Sequence, residues 1–156
     1  MMKGKRQMID KQPTKCNLCG GKVVFTSNAR IYGKEYGSGK CYYCTSCGAF
    51  VGTHVPRPTE ALGILSNAPM RAAKKKCHAL FDIHWKDAKR RGASRTAMYH
   101  WLAKQMKIDP AECHFGNFTL DQLKQAYAIL LTVKDSKMRL SKKGRAVFTS
   151  EKRGAA

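Results

Sequence analysis

Apolar positions follow two rhythms along this chain. Between residues 23 and 51 they come as short clusters of β-branched and aromatic residues: Val23-Val24-Phe25-Thr26, Ala29-Arg30-Ile31-Tyr32, Lys40-Cys41-Tyr42-Tyr43 and Ala49-Phe50-Val51. Short runs of these types bounded by Ser, Asn and Gly predict strands, with a turn at Ser27-Asn28 and a turn-rich tip over residues 33–39. Beyond residue 65 the spacing changes to the 3-4 repeat of amphipathic helices. Met70, Ala73, Cys77, Leu80/Phe81, Trp85 and Ala88 predict a five-turn helix. Ser66 or Asn67 would cap it, Pro69 lies in its first turn and Gly92 would stop it. A second helix is predicted from Ser94, presenting Ala97, Met98, Trp101, Leu102 and Met106. Asp109-Pro110 opens a short turn through Cys113, and residues 114–118 read as a loop. Thr119 with Gln122 makes a capping box for a third helix to about Val133, with Leu120, Leu123, Tyr127, Leu130 and Leu131 inward.

Cysteine spacing decides what holds the strand-rich part together. Cys16-x-x-Cys19-Gly20 and Cys44-x-x-Cys47-Gly48 are two knuckles, each a tight turn aiming two thiolates at one centre. Four soft ligands suit a tetrahedral structural zinc, and the intervening segment is long enough for a hairpin to return. Cys41-x-x-Cys44 offers a competing register. Symmetry favours the 44/47 pair, because both knuckles then carry Gly directly after the second Cys, where the turn needs positive φ. Four thiolates leave no open position for water, so catalytic zinc is not expected. Cys41, Cys77 and Cys113 remain, an odd number that does not suit a disulfide framework, and reducing surroundings follow.

The expected fold is therefore α+β, with an N-terminal zinc ribbon packed on a C-terminal three-helix bundle. Residues 1–15 read as a basic flexible arm, 16–55 as the ribbon, 56–133 as the helical bundle and 134–156 as a basic flexible tail. The boundary falls at Pro56-Arg57-Pro58, which breaks regular structure, and a short helical turn is expected within residues 59–65.

Charge narrows the partner. The 156 residues hold 30 Lys+Arg against 10 Asp+Glu, a net +20, and such a surface selects a polyanion. Nucleic acid, DNA or RNA, leads over anionic membrane. No apolar run spans a bilayer, and Met1-Met2-Lys3-Gly4-Lys5-Arg6 lacks the apolar stretch of a signal peptide, so a cytoplasmic location is expected. The candidate phosphate contacts are Lys34 and Lys40 on the ribbon, with Arg71, Lys74, Lys75, Lys89, Arg90, Arg91 and Arg95 on the helices. Tyr36, Tyr42, Tyr43 and Phe50 either stack on bases or pack over the small sheet.

The succession of motifs also resembles a family. Cys16-x-x-Cys19-Gly20, Ile31-Tyr32-Gly33, Cys44-x-x-Cys47-Gly48-Ala49-x-Val51-Gly52-x-His54 and Leu62-Gly63-x-Leu65 are followed by His78-Ala79-x-Phe81-Asp82, Trp85 and Arg95. Tyr99-x-Trp101-Leu102-Ala103 and Glu112-Cys113-His114-x-Gly116-x-Phe118 complete the set. Over residues 16–131 this is similar to the zinc-finger-containing proteins of phages and prophages. The resemblance implies Cys16, Cys19, Cys44 and Cys47 as the ligands of one zinc. It implies that His54, Asn67, Arg71, His78, Asp82, Trp85 and His114 are family features, and it implies no activity.

The leading reading is a non-catalytic nucleic-acid-binding protein, a phage accessory or regulatory factor acting inside the host cell. One alternative is a docking factor that binds host polymerase, ribosome or a defence protein. A second is a metal-dependent nuclease. His78 and Asp82 stand i, i+4 on one helix, and with His54 or His114 they would supply a second metal site or a general acid and base. A His78–Asp82 hydrogen bond that merely orients the helix is the plainer reading. No Walker loop or nucleophile elbow is present, and carboxylates are scarce for a two-metal nuclease.

Overall fold

The computed structural model describes residues 10–152, with backbone alone for the last three; most of the expected basic arm and the final residues lie outside this range. The chain is α+β: a small antiparallel sheet with a four-cysteine cluster, then three long helices. It divides into two compact units, with the boundary between Arg71 and Ala72.

In the first unit, β1 (Val23–Ser27), β2 (Lys40–Cys44) and β3 (Phe50–Gly52) form one sheet in the order β1-β2-β3. Val23 pairs with Cys44, Ser27 with Lys40, and Tyr42 with Val51. Alternation along β2 sends Tyr42 and Cys44 into one core with Cys16, Val23, Ala49, Val51, Ala61 and Leu65. The strand expected over residues 29–32 is instead a single helical turn, α1 (Ala29–Tyr32). Buried Asn28 is the reason. Its amide donates to the Tyr36 carbonyl at 2.8 Å and accepts from the Tyr36 N–H at 3.1 Å, closing residues 28–36 into a loop that an extended strand cannot make.

Residues past Pro56-Arg57-Pro58 return to the sheet. Thr53 bridges to Ala61 and Phe50 to Ser66, extended pairings where a helical turn was expected. The Tyr42 hydroxyl donates to the Thr59 carbonyl at 2.5 Å, and the Ala61 N–H reaches the Lys11 carbonyl at 2.7 Å. Residues 10–15 are thus held at least in part, with Lys15 bridging to Lys22.

Helix α2 (Ala68–Asp82) crosses the division and ends well before Gly92. Beyond Asp82 the backbone tightens: the N–H groups of His84 and Trp85 bond to the carbonyls of Phe81 and Asp82, three residues back. The Trp85 indole N–H donates to the Asp82 carboxylate at 2.9 Å and pins the turn. Helix α3 (Arg91–Met106) then begins earlier than Ser94, with Gly92 inside its first turn. The Thr119 capping box is made in both directions and opens α4 (Leu120–Leu131). That helix buries Leu123, Ala126 and Leu130; Tyr127 and Leu131, expected inward, lie at the surface.

The helices of the second unit meet over an aromatic core. Phe81 lies 4.5 Å from Tyr99 and 5.3 Å from Phe115, which in turn is 5.8 Å from Phe118. The Cys77 thiol donates to the Leu123 carbonyl at 3.3 Å. The expected flexible tail is a hairpin instead, β4 (Ser136–Leu140) and β5 (Ala146–Lys152). Phe148 anchors it, with its ring 4.7 Å from Trp101 and 5.1 Å from His84. Among the described residues, no helix is long and apolar enough to cross a membrane.

Candidate metal centre

The two knuckles are built alike. In the first, the Gly20 N–H bonds to the Cys16 carbonyl at 2.9 Å and the Cys16 N–H to the Gly21 carbonyl at 2.9 Å. In the second, Gly48 bonds back to Cys44 at 3.0 Å and Cys44 to Ala49 at 2.8 Å. Gly20 and Gly48 hold φ of 74° and 81°, left-handed values that a side chain would strain. Gly21 is needed for space, since a Cβ there would meet Ser46 Oγ at 2.5 Å. Asn17 ties the first knuckle to the returning segment after Pro58, its amide exchanging hydrogen bonds of 3.0 and 2.9 Å with the backbone of Leu65.

These turns gather the sulfurs of Cys16, Cys19, Cys44 and Cys47 within 4.8 Å of one another. Cys16 and Cys47 are 3.7 Å apart, Cys19 and Cys44 3.4 Å. A tetrahedron with zinc–sulfur bonds of ~2.3 Å has sulfur–sulfur edges of ~3.8 Å, so the cluster fits zinc. Backbone N–H groups support the sulfurs: Leu18 donates to Cys16 Sγ, Gly21 to Cys19 Sγ and Cys47 to Cys44 Sγ, at 3.3 to 3.4 Å. Such donors favour thiolate. The Cys47 N–H, with the Ser46 N–H and neighbouring thiols, draws the Cys44 thiol down to about 6. For Cys47 the Ala49 N–H pulls the same way, but burial and the other three sulfurs outweigh it and push that thiol up to about 12. Four adjacent thiolates repel, and a divalent cation at their centre removes the repulsion. The four-cysteine cluster is a single structural zinc site, and its closed four-sulfur shell holds and orients the two knuckles.

Cys41 is away from this cluster. It is a buried β2 residue paired with Thr26 and Gly52, and burial pushes its thiol up.

The other sequence candidates are divided between the two units. His54 belongs to the first unit, where its N–H bonds to the Glu60 carbonyl at 3.0 Å. In the second unit His78 stacks edge-on against Phe115 at 4.7 Å, and His114 lies 5.3 Å from Tyr99. Desolvation lowers the pKa of both rings; Asp82 opposes this at His78, and Arg95 adds to it at both. The Asp82 carboxylate accepts the Trp85 indole N–H. Among the described residues, the four-cysteine set is the one group of three or more His, Cys, Asp or Glu placed to hold a metal.

The basic candidates also sort by environment. Lys34, Lys75, Lys89, Arg90, Arg91 and Arg95 are exposed; Lys40, Arg71 and Lys74 are half-buried. Arg71 is engaged within its own unit, 4.4 Å over the Phe50 ring and donating to the Ser66 carbonyl at 2.7 Å. Arg95 lies against Tyr99 at 5.0 Å and Trp85 at 5.7 Å. Two surface pairs, Arg30 over Tyr43 and Lys34 over Tyr36, each at 5.1 Å, put cations beside aromatic faces. Arg30 escaped the sequence reading because its tetrad has the composition of a strand.

A family described as a zinc-finger-containing domain matches residues 12–133. No curated protein and no solved structure matches the chain.

Proposed function

This chain belongs to the zinc-finger-containing domain family, and from that premise we propose that it binds nucleic acid without catalysis. Its setting would be that of a phage accessory or regulatory factor inside a host cell. The observation that carries this reading is the net charge of +20 with exposed lysines and arginines on both units. Lys34, with Arg30 in the same unit, and Lys75, Lys89, Arg90 and Arg91 in the other neutralise phosphates, which gives affinity without sequence choice. The aromatic faces beside Arg30 and Lys34 offer stacking surfaces to unpaired bases.

Electrophoretic shift or anisotropy titrations with duplex DNA, single-stranded DNA and RNA test it. Binding is expected at low salt, falling by about 10³ or more between 50 and 200 mM salt if some six phosphates are contacted. No binding to any of the three at low salt would remove the proposal.

A docking role has one observation in its favour. Tyr32, Tyr36, Val55 and Leu62 are exposed to between 51 and 67 %, and they line a hollow of about 620 Å³ in the first unit. Apolar surface of this kind is a common mark of protein partners. A host protein retained from nuclease-treated lysate by the wild-type chain but not by Leu62→Asp would favour docking; equal retention by both would count against it.

A further inference from the structure

The sequence alone leaves residues 134–156 as a tail, yet the hairpin of β4 and β5 within them creates a second candidate site. Its turn faces the exposed stripe of α3 across a groove of about 770 Å³. Trp101 and His100 supply aromatic faces on the helix side, and Lys104 follows one turn later. Lys143, Gly144 and Arg145 close the opposite side. Among the described residues, no carboxylate lines the groove.

The turn that presents these cations is fixed. The Ser141 N–H donates to the Arg145 carbonyl at 2.8 Å, and the Gly144 N–H to the Ser141 carbonyl at 2.9 Å. The Arg145 N–H donates to Ser141 Oγ at 3.1 Å. Gly144 sits at φ 76°, where a side chain is disfavoured. Trp101 packs against Phe148, with ring centroids 4.7 Å apart. A half-buried indole in a groove also lined by Lys104, Lys143 and Arg145, with one wall made by a fixed turn, suits a ligand with a planar apolar face and anionic linkages on its edge.

We propose that this groove binds single-stranded nucleic acid, one base stacking on Trp101 while Lys104, Lys143 and Arg145 hold flanking phosphates. The inference rests on the nucleic-acid reading and deepens it by naming the strand form and the residues. Stacking on an aromatic face tolerates any base, and cations beside it track the backbone. A groove of this size admits unpaired nucleotides, whereas paired bases keep their faces inside the stack and cannot reach the indole. The hairpin turn lies beyond residues 12–133, so one wall of the groove is outside the matched region and the α3 wall is within it.

Fluorescence titration of the full chain with oligothymidine and oligouridine 12-mers, a matched duplex and thymidine monophosphate tests it. Lys143→Ala with Arg145→Ala should weaken single-strand binding by about tenfold and lower its salt slope by about 1.4. Lys76→Ala with Lys124→Ala, which removes equal charge at two exposed positions outside the groove, should change it by no more than about threefold. The chain has two tryptophans, so Trp85→Phe leaves Trp101 as sole reporter, and 12-mers should quench it saturably. Absent quenching, or equal losses in the two charge variants, overturns the groove while the nucleic-acid reading stands. Failure of the wild-type chain to bind any nucleic acid overturns both. Monophosphate binding as tight as the 12-mers would make this a free-nucleotide pocket and overturn the strand assignment.

Discussion

Cys44→Ser is expected to lose the zinc and with it the folded ribbon. Serine offers a hydroxyl with no tendency to ionise near neutrality, so one corner of the tetrahedron goes. The loss reaches beyond coordination because Cys16 and Cys44 also belong to the small core around Val23, Tyr42, Val51 and Leu65. A sheet of this size buries little, and structural zinc contributes about 10–16 kcal/mol of apparent binding energy coupled to folding. Metal analysis should find one zinc per wild-type chain and a small fraction of that in the variant, with loss of near-ultraviolet dichroism from the ribbon tyrosines. Cys41→Ser, in β2 but outside the cluster, should keep its zinc. Zinc retained by Cys44→Ser and lost by Cys41→Ser would reverse the ligand assignment. Acid should strip the metal from the wild-type chain as well: the ligands act as thiolates, protons compete with zinc, and retention falls as pH falls.

Phe115→Ala is expected to destabilise the second unit by about 3–5 kcal/mol. The ring is 2 % exposed and contacts aromatic rings on every side. His78 is at 4.7 Å, Phe81 at 5.3 Å, Phe118 at 5.8 Å and Tyr99 at 6.1 Å. These neighbours come from α2, α3 and the segment leading to α4, so truncation opens a cavity that no single element can close. Urea denaturation followed by tryptophan emission reads this unit selectively, because Trp85 and Trp101 both lie in it. Phe115→Leu, which keeps most of the volume, should lose less. A loss under about 1 kcal/mol for the alanine variant would show that Phe115 is not at the centre of the core.

The same packing sets the surroundings of His78 and Asp82. Helical spacing places them on one face, and the electrostatic coupling between them is present. What spacing could not show is that Trp85, arriving by a turn after the helix ends, donates to the carboxylate. Nor could it show that the Phe115 ring lies edge-on to the imidazole. Protonation of His78 and His114 is disfavoured in the folded chain. The unfolded chain therefore takes up more protons below the ordinary imidazole value, and acid acts against the fold.

What the sequence determined by itself were features carried by a few neighbouring residues. The paired knuckles with their glycines, the change from strand to helix rhythm and the Thr119–Gln122 box each follow from side-chain chemistry within a few positions. Tertiary structure decided the rest. Asn28 turned a strand-like tetrad into a helical turn by closing on Tyr36, and Phe148, seated against Trp101 and His84, made a hairpin of a segment whose lysines resemble a solvated tail. Each of these outcomes depends on a partner contact that spacing along the chain does not encode, because short apolar runs are compatible with more than one backbone until the surface they bury against is in place.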